Sequence, residues 1–205
     1  MTLQQLIMAG GFTLVILALC SVVSLAVILE RWLYYTRRSG VKRKSFMAGI
    51  KDKVKKGNIE DALKECKKAN TPFSDVAAAG FSFYGHSEKE ISNNMERTIV
   101  IETNLLERHT TIVGTIGSTA VYIGLFGTVL GIIKAFNDIS SSGTGGINVV
   151  TAGISESLVC TAAGLCVAVP AVMAYNYFIK KIDNFITDME LCASEMMDLI
   201  TAKQK

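Results

Sequence analysis

LIMAGGFTLVILALCSVVSLAVIL, residues 6–29, runs 24 residues without a charge. A bilayer core is about 30 Å thick, and about 20 apolar residues cross it as a helix. The stretch is therefore long enough to span a membrane, and a core helix of a soluble domain rarely stays uncharged for so long. It does not read as a secretory signal: no cations precede it, it exceeds an ordinary signal core, and no small-residue cleavage site follows. Glu30, Arg31, Trp32, Tyr34 and Tyr35 follow instead, the pattern of an aromatic and charged interfacial anchor.

Two further uncharged runs lie downstream, 24 residues over Thr110–Ile133 and 23 over Ser157–Ile179. Both are rich in Gly, Ala, Ser and Thr. Buried helices of a soluble domain could share that composition, but it is also what membrane helices use to pack closely.

The charge distribution orients the three spans. Residues 31–68 hold thirteen Lys or Arg against four acids, whereas residues 137–146 hold one acid, Asp138, and no base. Lys180 and Lys181 follow the third run. By the positive-inside rule the N-terminus and residues 137–146 face out, and residues 31–108 and the tail face the cytoplasm. The expected plan is an all-α membrane protein. Its parts are a first transmembrane helix over 1–30, a cytoplasmic helical region over 31–109, a second transmembrane helix over 110–136, an outside loop over 137–146, a third transmembrane helix over 147–179 and a cytoplasmic C-terminal helix over 180–205. Cations beside a span mark topology and contact with anionic lipid more simply than nucleic-acid binding. The cysteines Cys20, Cys66, Cys160, Cys166 and Cys192 form no CxxC pair and read as small apolar fillers, not as metal ligands or disulfides.

Within the cytoplasmic region, Asn58 starts a short helix with Ile59, Leu63 and Cys66 as its apolar stripe. Thr71 and Pro72 read as the cap and first position of another, with Phe73, Val76, Ala77 and Gly80 inward. Ser87-x-x-Glu90 has the form of a capping box. Beyond it Ile91, Met95, Thr98, Leu105 and Leu106 recur at helical spacing, with Glu102 and Glu107 interrupting. No Gly or Pro occurs between Ser87 and Thr110, so one helix over 88–133, roughly 70 Å long, is expected to rise straight into span two. Span three should likewise continue: Ile182, Phe185, Ile186, Met189, Cys192, Met196, Leu199 and Ile200 keep a heptad-like spacing. That stripe can serve packing within the chain or between subunits. Ser140 to Gly146 reads as a flexible outside turn.

The chemistry-bearing residues lie in spans two and three. Gly117, Val121, Gly124, Thr128 and Gly131 share one helix face, with a single hydroxyl at Thr128. Gly153, Ser157, Thr161, Gly164 and Ala168 share another, with Thr161 as its deepest hydroxyl. On composition alone these faces could serve only close packing, with hydroxyls bonded to their own backbone. Glu156 begins the uncharged part of span three. A carboxyl at membrane depth is costly and marks an ion pathway by default, the other reading being an interfacial residue. Lys134 could reach it only if the helices run offset. Pro170, mid-span, removes one backbone hydrogen bond and is expected to kink the helix. No phosphate loop, nucleophile motif or metal-ligand cluster is present, so no enzyme, cofactor or metal is expected, and His86 and His109 read as helix-surface residues.

Gly124-Leu-Phe-Gly-Thr-Val-Leu-Gly-Ile132, Ile154-Ser-Glu-Ser-Leu-Val-Cys-Thr-Ala-Ala-Gly-Leu165 and Val169-Pro-Ala-Val-Met-Ala-Tyr-Asn176 together resemble the MotA/TolQ/ExbB proton-channel family, most of all its three-span ExbB and TolQ members. The resemblance is best over residues 102–178. It implies a homo-pentamer in the bacterial inner membrane, N-terminus periplasmic and C-terminus cytoplasmic. The ring would surround a dimer of a single-span ExbD- or TolR-like partner, passing protons to drive a TonB- or TolA-like envelope protein. It places Thr128 and Thr161 in the pore and Glu156 on the proton pathway, with Gly124, Gly131, Ser157 and Gly164 as small pore-facing residues. The chain departs from the family where Ala120 is followed by Val121 instead of Pro, where Ser157 and Cys160 replace common alanines, and at the charge of Lys134. Two other functions compete: a non-conducting membrane scaffold assembled through the small-residue faces, and a secondary transporter, which would need an inverted repeat that the sequence lacks.

Overall fold

The computed structural model describes residues 3–142 and 147–204, with side chains over 11–140 and 151–202. The described residues form helices joined by short connectors: α1 Leu3–Arg38, α2 Arg43–Lys55, α3 Ile59–Ala69, α4 Pro72–Ser82, α5 Glu88–Glu107, α6 Thr110–Ser142 and α7 Ile147–Gln204. Helices α1, α6 and α7 are long and apolar enough to cross a membrane, and the protein is an all-α membrane protein.

The helices overrun the expected boundaries. Helix α1 continues past Glu30 to Arg38, and α6 continues through Asp138 to Ser142, so residues 137–142 are helix and not loop; residues 143–146 lie outside the described residues. Gly11 interrupts α1 with φ 56° and ψ −146°, backbone space that glycine enters without a Cβ penalty. Helix α7 carries 58 residues through Pro170 as one element, about 87 Å at 1.5 Å per residue. Pro170, expected to kink the helix, lies inside this element and supplies no N–H to the Cys166 carbonyl.

The single helix expected over 88–133 is not present. Helix α5 stops at Glu107, Arg108 turns extended (φ −50°, ψ 133°), and His109 takes φ 64° before α6 starts at Thr110. The cause lies far away in sequence. A helix end leaves four carbonyls without partners, and two of these in α5 are taken by α1 side chains. Arg31 donates Nη1–H to the Leu105 carbonyl at 3.1 Å, and the Tyr35 hydroxyl donates to the Leu106 carbonyl at 2.8 Å.

The chain divides into two compact units, residues 31–108 with 178–205, and residues 1–30 with 109–177. In the first, Phe46, Ile50, Val76, Ile91 and Met95 are buried with Phe178, Ile182, Phe185, Met189, Cys192, Met196 and Ile200. The heptad-like stripe of α7 is thus used for packing within the chain. Rings meet edge to face, Tyr35 on Phe178 at 5.4 Å and Phe46 on Phe73 at 5.3 Å. Burial pushes the thiols of Cys66 and Cys192 up to about 12, which keeps them protonated fillers at neutral pH. Both sequence-read caps form: the Ser87–Glu90 capping box opens α5, and Thr71 opens α4 reciprocally with Ser74. The Thr71 side chain is fully buried and accepts from the Ser74 N–H at 3.3 Å. Thr71→Ala is therefore expected to cost about 1–2 kcal/mol, read as a lowered midpoint of thermal unfolding in detergent.

Glu102 does not interrupt the α5 stripe. It belongs to it, in register with Ile91, Met95 and Leu106, and is 8% exposed. Its partner is Arg38, which also pairs with Asp75 at 2.7 Å and donates to the Asn70 side chain at 3.0 Å. Burial raises the Glu102 carboxyl above its ordinary value, and the Arg38 charge opposes the rise.

Candidate functional site

In the unit formed by residues 1–30 and 109–177, α6 and α7 close on each other through their glycines. A Cβ on Gly124 would lie 2.7 Å from the Cys160 carbonyl oxygen and 3.2 Å from the Gly164 Cα. One on Gly164 would lie 2.7 Å from the Ala120 oxygen and 3.1 Å from the Gly124 Cα. Gly131 leaves room for the Ser157 hydroxyl, which a Cβ would strike. Helix α1 joins the contact: Thr13 donates its hydroxyl to the Cys160 sulfur at 3.6 Å, and Leu14 and Leu17 pack beside Ala120, Cys160 and Ala168.

The two predicted threonines meet in this contact. The Thr128 Oγ1 and Thr161 Oγ1 atoms are hydrogen-bonded to each other. Thr128 also has two carbonyls within reach, Gly124 on its own helix at 3.1 Å and Ser157 across the contact at 3.3 Å. A hydroxyl donates once and accepts twice. One arrangement satisfies both groups: Thr128 donates to a carbonyl and accepts from Thr161. Thr128 is 9% exposed, whereas Thr161 is half-buried. Ser157 is buried and bonded to the Gly153 carbonyl at 2.6 Å.

Gly124, Gly131, Ser157 and Gly164, the small residues expected at a pore, lie in the contact between α6 and α7 of the chain. A residue without a side chain fits either purpose, and here the space beside each is filled by the neighbouring helix. Glu156 does not join the threonines. It is exposed, and five residues of helix place it about 140° around α7 from Thr161. Lys134 is also exposed, and among the described residues the two form no ion pair with each other. Thr13 was not legible as a site residue, because it is one of three hydroxyls, with Ser21 and Ser24, in the apolar run of residues 6–29.

A family model described as the MotA/TolQ/ExbB proton channel family matches residues 68–191, which include every residue of the α6–α7 contact. The chain belongs to the MotA/TolQ/ExbB proton channel family. Among its relatives, the biopolymer transport protein ExbB of Xanthomonas campestris pv. campestris (strain B100) is 30% identical over 159 residues, 69% of this chain and 63% of that protein. The ExbB of Neisseria meningitidis serogroup A is 29% identical over 206 residues, covering 93% of this chain and 90% of that one. The Tol-Pal system protein TolQ of Pseudomonas aeruginosa is 35% identical over 113 residues, 55% of this chain and 49% of TolQ. The chain thus spans less than two thirds of the length of the Xanthomonas relative and nearly all of the Neisseria one. The MotA/TolQ/ExbB match runs from the end of α3 through α4, α5 and α6 and most of α7, so it covers parts of both units.

Proposed function

We propose that this chain is the proton-channel subunit of an inner-membrane motor that uses the proton-motive force to drive an envelope protein of the TonB or TolA type. The observation that carries the reading is the Thr128–Thr161 hydroxyl pair, held at a glycine-lined contact of two membrane-capable helices in a member of this family. Paired neutral hydroxyls can pass a proton by exchanging donor and acceptor roles without trapping it. Each charge that crosses is driven by about 2.3 kcal/mol per 100 mV.

In this reading the working unit is a homo-pentamer with an ExbD- or TolR-like single-span dimer inside it. The exposed carboxyl of Glu156 supports assembly of that kind. A carboxyl left against lipid is costly, so it calls for a water-filled space or a polar neighbour from another chain. The cations of residues 31–68 support an N-terminus in the periplasm and a C-terminus in the cytoplasm. The scaffold reading draws on one observation, that Thr128 is satisfied inside the helix contact.

Thr161→Val separates the two. The shape is kept and the hydroxyl is lost. Co-expressed with its partner and reconstituted into vesicles, the variant is expected to keep the native mass of the complex and lose proton flux roughly tenfold or more, the scale of one hydrogen bond missing from a buried path. Thr161→Ser should retain flux. Wild-type flux in the valine variant would remove Thr161 from the pathway, and a wild-type complex that carries no proton flux would hand the chain to the scaffold reading.

A further inference from the structure

The positive-inside rule accounts for cations after a span, but not for their convergence on one cavity. A cavity of about 320 Å³ in the unit formed by residues 31–108 and 178–205 is lined by Arg38, Lys42, Arg43 and Lys44 from the α1–α2 junction and by Lys181 from α7. Its one carboxylate, Asp188, is committed to the Arg43 Nε at 3.1 Å, and Glu195 holds the same guanidinium. Arg38 is committed to Asp75 and Glu102. Among the described residues Lys42, Lys44 and Lys181 have no ion-pair partner. Lys181 is steered by the Phe185 ring, 5.3 Å from its Nζ. Helix α2 starts at this cavity with no acid in its first turn and no side-chain cap from Lys42, so its N-terminal dipole charge is uncompensated.

We infer that this cavity binds the phosphate of an anionic phospholipid headgroup. The shared chemistry is a phosphate ester, and the surroundings favour a lipid source over a soluble one. Arg38 is eight residues beyond Glu30 and Lys181 four beyond Tyr177, so both sit within about 12 Å, along their own helices, of the span ends. Val41, 38% exposed, and Phe185 add apolar wall that a lipid glycerol can cover and a free phosphate cannot use. The inference rests on the cytoplasmic placement of residues 31–108 and not on the proton pathway, so its test reads lipid binding and not flux.

The full chain, purified in detergent and stripped of lipid, is titrated with phosphatidylglycerol or phosphatidylcholine and read by native mass spectrometry. Phosphatidylglycerol is expected to bind and phosphatidylcholine not. Lys42→Gln/Lys44→Gln/Lys181→Gln should weaken phosphatidylglycerol about fivefold per lysine, on the order of a hundredfold for the three. Lys67→Gln/Lys68→Gln/Lys89→Gln, which removes equal charge elsewhere, should bind as wild type does. Ser39→Glu adds a carboxylate to the lining without removing a lysine and should also weaken binding, which separates lost recognition from lost folding. Equal phosphatidylglycerol binding by the two triple variants would overturn the site. Displacement of the lipid by equimolar inorganic phosphate would assign the cavity to a soluble phosphate compound and overturn the lipid assignment.

Discussion

Replacing Arg38 by methionine is expected to lower the stability of the detergent-solubilised protein by about 3 kcal/mol at pH 7, the scale for removing one partner of a buried ion pair. The loss comes from what stays behind. Glu102 remains 8% exposed, with its charge no longer opposed by the guanidinium. Asp75 suffers less, because its side chain is 36% exposed and water can take over. The pH dependence follows from the sign of the Glu102 shift. Its folded-state carboxyl is already raised by burial, and without Arg38 it rises further. A carboxyl raised in the folded state destabilises the fold when ionised, and the penalty disappears as falling pH protonates it. The gap between variant and wild type should therefore narrow on acidification from pH 7 toward pH 5. Adding Glu102→Gln should recover most of the loss at pH 7. Thermal unfolding of the three proteins across that range checks both statements, and a gap that stays constant with pH would remove Glu102 from the explanation.

Gly124→Ala is expected to do comparable damage by a different route, about 2–3 kcal/mol as overpacking. Its added methyl would meet backbone on both sides, the Cys160 carbonyl and the Gly164 Cα, and backbone cannot rotate away. The helices must then separate, which parts Thr128 from Thr161. Stability and proton flux should fall together. Gly49→Ala is the control. A Cβ there meets nothing within 4 Å inside helix α2, so it should be neutral or stabilising by about 0.5–1 kcal/mol.

Much of this architecture was legible wherever the signal is local. The three apolar runs, the Thr71 and Ser87 caps and the α7 stripe each depend on residues a few positions apart, and each has its expected helix or cap in the structure. The break at Arg108–His109 was not legible, because neither residue breaks helices. It is set by Arg31 and Tyr35, more than seventy positions earlier. Glu102 was misread because its charge outweighed its register, although spacing from Ile91, Met95 and Leu106 put it on the buried stripe. The site was half legible. Composition drew attention to Thr128 and Thr161, but it could not say that Gly124 and Gly164 are occupied by each other, nor that Glu156 lies on another side of its helix.

The end of α5 also bears on how the chain can be recombined with its relatives. Because the Leu105 and Leu106 carbonyls are closed by Arg31 and Tyr35, the first helix and the stretch before His109 are a matched pair. A chimera that imports its first helix from another member of the family must bring an arginine and a tyrosine at these two positions, or import the α5 terminus along with it. Grafts cut at residue 30 leave the pair intact; grafts cut at residue 40 divide it.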